Sequence, residues 1–240
     1  MSVDMFSRRF LKELNELPEF SRQGRRDPRV WNEGFPAWRA LFTHLLFWGH
    51  CTGYRLPSFS NFSERCKKAY CMKKVHKNKD YSPYFEEPLY QGMLERMSVW
   101  YEAGMAETYL YTCLVEAIED EKREGLVLYD PRADWKLKTD AVVILHGRIT
   151  RISAFTGSKE DRPQVEARRS ETEKERKKNT MRSAHWGNKQ LDQIPQKQIT
   201  LTEEDCQIVN GVKLFSLSAV KNLLDELYRD AGIQEDRYIK

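Results

Sequence analysis

The chain has 240 residues, 40% of them hydrophobic, enough to bury one large core or two small ones. Its 40 Lys and Arg nearly balance 36 Asp and Glu, so the net charge of +4 identifies no partner, and what matters is where the positive charge clusters. No stretch approaches the roughly 18 consecutive apolar residues of a membrane span. The five cysteines are odd in number and irregular in spacing, which argues against a disulfide framework. The N-terminus lacks the apolar core and small-residue cleavage site of a signal peptide, so a reducing, cytoplasmic location is expected.

In chain order, Phe6, Phe10, Leu14 and Leu17 recur at helical spacing and Pro18 follows, which predicts a helix over residues 6–17. Residues 21–28 form a basic, polar connection with Arg22, Arg25 and Arg26, followed by Arg29. A very apolar helix is expected over 36–50. Another should begin near Ser60 or Ser63, where a serine can cap the exposed N–H groups, and run to about residue 77. Pro83 and Pro88 punctuate the next loop.

The longest helical signal spans 88–124, with Val99, Ala103, Ala106, Leu110, Cys113 and Ala117 along one stripe. Gly104 is a candidate break. Gly125 is expected to end the helix, after Lys122 and Arg123 in its last turn, where the helix dipole favours cations.

Beyond Gly125 the period changes. Residues 126–129 read as a short strand, and 140–145 and 148–155 as a hairpin turning at His146-Gly147. Residues 157–182 are dense in charge of both signs, and within them 165–178, with Pro163 at the helix start, read as a solvated helix. Residues 183–198 read as a polar loop holding His185 and Trp186, and 212–215 as a strand. Leu217, Val220, Leu224 and Leu227 define an amphipathic helix with Ser216 or Ser218 as cap and Gly232 at its end. The fold class expected is α+β or α/β: a helical N-terminal half, then a small mixed β-sheet flanked by helices.

One constellation carries chemistry. Glu116 lies on the long helix about a sixth of a turn from Cys113, at the edge of the apolar stripe. Asp140 opens the first hairpin strand, with Asp130 and Asp134 upstream. This order of helix glutamate, strand aspartate and adjacent strand resembles the PD-(D/E)XK, or restriction-endonuclease-like, nuclease superfamily over roughly residues 100–182. The resemblance implies Mg²⁺ held by Glu116 and Asp140, assisted by Asp130 or Asp134, activating a hydroxide against a phosphodiester. The family's acid-any-lysine triplet is absent from the second strand, which reads Arg151-Ile152-Ser153-Ala154-Phe155. Lys174 stands as the substitute lysine from the following helix, with Glu166 and Glu171 as substitute acids. Residues 1–95 would then form a helical, basic and aromatic region, and 96–240 the nuclease-like core.

Residues 64–79 concentrate Arg65, Lys67, Lys68, Lys73, Lys74 and Lys77 around Tyr70, with Glu64 as the single acid. Lysines neutralise phosphates and aromatic rings can stack on bases, so this stretch is a nucleic-acid-binding candidate, or else a solvated helix face. Cys51, Cys66, Cys71 and His76 contain zinc-ligand types at spacings that fit a structural site poorly. The sequence motifs of nucleotide phosphate loops and of hydrolase nucleophile elbows do not occur. Two main readings follow: a Mg²⁺-dependent nuclease in DNA processing or defence against foreign DNA, or a non-catalytic nucleic-acid-binding or assembly module on the same fold. A protein–protein adaptor using the aromatic segment 31–48 is a third. No membrane partner is expected.

Overall fold

The computed structural model describes residues 5–33, 55–71, 80–119, 125–129, 139–156 and 194–233. The expected helix over 36–50 and the charge-dense stretch 157–182 lie outside the described residues, as do Lys73, Lys74, Lys77, Asp130, Asp134, Lys174 and His185. The fold is α+β, with helices preceding a four-stranded mixed sheet and a separate two-stranded one. Two compact units form, residues 1–116 with 207–215 and residues 117–206 with 216–240. No described helix is long and apolar enough to cross a membrane.

The first unit is built on α4 (Tyr90–Ile118), which runs unbroken through Gly104. Met93, Met97, Tyr101, Met105, Tyr109 and Leu114 are all buried, and so are Ser98, Glu102 and Thr108, so α4 is covered around most of its circumference. A helix covered this widely has no single narrow apolar stripe, which is why the stripe read from sequence captures only part of its core face. Helix α1 (Met5–Glu16) brings Phe10 within 5.4 Å of the Tyr109 ring. Helix α3 (Phe59–Cys71) buries Phe59, Phe62, Cys66 and Tyr70, and Phe59 and Phe62 surround Tyr101 together with Phe20. A short α2 (Pro28–Trp31) and the 3₁₀ turn Ser82–Phe85 complete the helical part.

The hairpin β5 (Cys206–Val209) and β6 (Val212–Phe215) also belongs to this unit from residue 207 onward. Its Asn210-Gly211 turn has positive φ at both residues, 48° and 79°, the combination two-residue hairpins prefer. Asn210 Nδ2 donates to the carbonyls of Leu14 and Leu17, satisfying the C-terminal end of α1. Strand β5 is not anticipated by the sequence reading.

In the second unit, β1 (Gly125–Leu128), β2 (Ala141–Leu145) and β3 (Arg148–Phe155) form an antiparallel meander. The β2–β3 turn is His146-Gly147 as read from sequence, with φ of 47° and 77°. Strand β4 (Gln196–Thr200) runs parallel to β3, with Arg151 opposite Gln196 and Phe155 opposite Thr200. This corrects the polar-loop reading of residues 196–198. Gln-Lys-Gln-Ile-Thr is an edge strand with only Ile199 buried, so the apolar alternation that announces a strand is missing.

Helix α5 (Leu217–Asp230) is tied to this sheet by Lys197 of β4, which contacts Glu226 at 2.8 Å and Asp230 at 2.9 Å, and by Arg148 donating to the Asp230 carbonyl at 2.7 Å. Ser216 is its N-cap, its hydroxyl accepting from Ala219 N at 3.2 Å. Ser216→Ala is therefore expected to destabilise the protein by about 1 kcal/mol, read as a lowered urea midpoint at unchanged slope.

Candidate anion-binding groove

The 22–33 segment lies against the N-terminal half of α4 because two glycines let backbones approach closely. Gly24, at φ 83°, sits where a Cβ would collide with the Gln91 carbonyl and lie 2.6 Å from Glu95 N. On α4, a Cβ at Gly92 would lie 2.6 Å from Asp27 Cβ. Arg25 N donates to Gln91 O at 3.1 Å and Gln23 N to Ser98 Oγ at 3.0 Å. Arg22 uses its guanidinium on the buried Glu102 carboxylate.

Further along, Asp27 caps α2, accepting from Arg29 N at 2.8 Å and from Arg29 Nη2 at 2.7 Å. The side-chain hydrogen bond from Arg29, then the one from its backbone, holds the Asp27 carboxyl below the usual carboxylate range. Trp31 donates through Nε1 to Glu95 at 2.6 Å, which fixes the indole. Arg96 Nη1 donates to the carbonyls of Val30 and Glu33 and also lies over Trp100, 5.0 Å from the ring centroid.

This arrangement leaves an open groove of about 840 Å³ between the loop and the start of α4. Arg25, Arg26 and Arg29 line it. Arg29 is neutralised by Asp27, and the groove's other carboxylate, Glu87, accepts from Gln91 Nε2 at 3.2 Å. Neither Arg25 nor Arg26 has a carboxylate partner among the described residues. The Arg26 guanidinium lies over Trp31, 4.8 Å from the ring centroid. The groove therefore offers guanidinium forks on a fixed backbone, a geometry suited to phosphate or carboxylate oxygens. The sequence shows these arginines only as a basic connection; the grouping follows from Gly24 and Gly92.

The carboxylates expected to hold a metal are engaged in backbone hydrogen bonds. Glu116, in the first unit, accepts from Ser7 N at 2.6 Å and so caps an N–H at the start of α1. Asp140, in the second unit, accepts from Ala154 N at 2.6 Å, while its own N–H donates to Ile152 O at 2.8 Å. On the adjacent strand, the Ser153 hydroxyl accepts from Gln196 Nε2 at 2.7 Å. Among the described residues no group of three or more His, Cys, Asp or Glu side chains gathers as ligands. Asp130, Asp134 and Lys174, the other residues of the expected metal site, lie outside the described residues. Burial of Cys66 pushes its thiol well above the ordinary range, as for a small core side chain.

The basic helix is only partly as read from sequence. Lys67 and Lys68 are exposed, Lys68 paired with Glu64 at 2.8 Å, and Arg65 is half-buried. Tyr70 is a correction. It is 1% exposed and packed against Tyr81, Phe85 and Trp100, so its ring belongs to the core and cannot stack on a base from solvent. The helical period there places Tyr70 on the face shared with Phe59, Phe62 and Cys66, away from Lys67 and Lys68.

Compared with known protein families, curated proteins and solved structures, the chain matches none of them.

Proposed function

We propose that this chain is a nucleic-acid-binding module that holds a phosphate backbone and does not cleave it. The observation that carries this reading is the groove lined by Arg25, Arg26 and Arg29, two of which keep their charge unpaired among the described residues. Each guanidinium that neutralises a phosphate releases counterions, so affinity should fall steeply as salt rises. A rigid seat favours such contacts because little side-chain and loop freedom is lost on binding. Lys67 on α3 supplies further exposed charge, whereas Lys68 pairs with Glu64. The backbone bonds made by Glu116 and Asp140 support a structural role for both, and the second strand lacks an acid and a lysine. These features favour binding over the metal-dependent nuclease reading.

The test is incubation of the full chain with labelled DNA and RNA, with Mg²⁺, Mn²⁺ or EDTA, at two salt concentrations. Binding that weakens with salt and leaves the strands intact is the expected result. Arg25→Glu and Arg26→Glu should each weaken binding by about tenfold and lower the salt slope by roughly one phosphate contact. Lys67→Glu should have a smaller effect. Binding indifferent to salt would overturn the reading. Cleavage that needs Mg²⁺ and disappears in Asp140→Asn would replace it with the nuclease reading, carried by Glu116, Asp140 and Lys174.

A further inference from the structure

We infer that Arg26 is a preformed stacking platform for an unpaired base, so that the groove selects single-stranded nucleic acid. This rests on the nucleic-acid reading above and adds to it what the ligand must present. Arg26 lines the groove and at the same time lies over Trp31, with 4.8 Å between Cζ and the ring centroid. The Trp31 indole is held in place by Nε1 donating to Glu95 at 2.6 Å, and Arg96 approaches the same ring at 5.8 Å. The guanidinium is thus supported on the indole and presented to the groove.

Attraction of a cation to an indole face orients the guanidinium before any ligand arrives. A planar guanidinium so held can take a base on its remaining surface, as arginine planes do in single-strand recognition. In a duplex the bases are stacked on one another and paired, so their faces are not offered to the groove. Arg25, which has no aromatic support among the described residues, supplies charge for the adjoining phosphate. The groove's volume of about 840 Å³ lies in the range of ligand sites and has room for a nucleotide unit.

The experiment uses fluorescence anisotropy of the full chain with three end-labelled probes of equal length at low salt. They are oligo-dT, a deoxyribose-phosphate strand without bases, and a duplex. Wild type should bind oligo-dT about tenfold more tightly than the abasic strand, the effect of one stacked base. Arg26→Lys keeps the charge and loses the plane, so it should erase that preference, weakening oligo-dT binding more than abasic-strand binding. Arg25→Lys should keep the preference. Both side chains are exposed, and circular dichroism of each variant checks that it is folded. Equal wild-type affinity for oligo-dT and the abasic strand would overturn the stacking inference while leaving the phosphate-binding function standing, as would a preference that survives Arg26→Lys. Failure of wild type to bind any probe would overturn both.

Discussion

Gly24→Ala is expected to destabilise the protein by at least about 3 kcal/mol and to abolish binding in the groove. Two effects add. At φ 83° a side chain meets the intrinsic penalty of the left-handed region, about 1–2 kcal/mol. The added methyl would also collide with the Gln91 carbonyl and crowd Glu95 N, both backbone atoms of α4 that cannot rotate away. Relief requires the loop to lift from the helix, which breaks the Arg25 N to Gln91 O bond and displaces the three arginines together. Gly147→Ala is the internal control. Gly147 has nearly the same φ, 77°, but nothing lies within 4 Å of its would-be Cβ, so only the conformational penalty should appear. Urea denaturation of the two variants separates the terms. If Gly24→Ala loses no more than Gly147→Ala, the close approach that builds the groove is wrong.

That pairing shows which parts of the fold were legible in the sequence. Gly147 could be read because its turn is local: two β-branched strands flank a two-residue loop. Helices α1, α3 and α5 carry their periodicity on the surface of the sequence in the same way. Asn210-Gly211 is an equally strong local signal, but Cys-Gln-Ile-Val does not alternate cleanly, so β5 is announced by its turn and not by its own residues. The polar edge strand β4 has no such signal, since its partner β3 lies more than 40 positions upstream. Gly24 was legible only as a loop residue. Its packing partner is 67 positions away, and nothing in the spacing announces that Arg22 will be drawn to Glu102 and Arg29 to Asp27 while Arg25 and Arg26 remain. Charge density pointed instead to the lysine-rich helix, where Tyr70 turns inward. Composition reveals that arginines are present, whereas long-range pairing decides which keep their charge available.

Asp140→Ala is expected to destabilise the second unit by about 2–3 kcal/mol, because a charge-assisted bond to a buried strand N–H is removed without replacement. Strand β2 begins at Ala141, and just before it the Asp140 side chain takes over from the backbone ladder, accepting from Ala154 N of β3 at 2.6 Å. Ala154 is 6% exposed, so water cannot readily stand in. The discriminating variant is Asp140→Asn, whose amide oxygen still accepts a hydrogen bond. It should recover most of the lost stability in urea or thermal denaturation. A carboxylate needed for a divalent cation behaves differently: asparagine and alanine would then be equally defective in cleavage, whatever their stabilities. If Asn restores the fold and neither variant changes the binding or integrity of DNA or RNA, Asp140 is a structural cap. The same pair of variants would also expose a catalytic role, since cleavage would be lost in Asp140→Asn at nearly full stability.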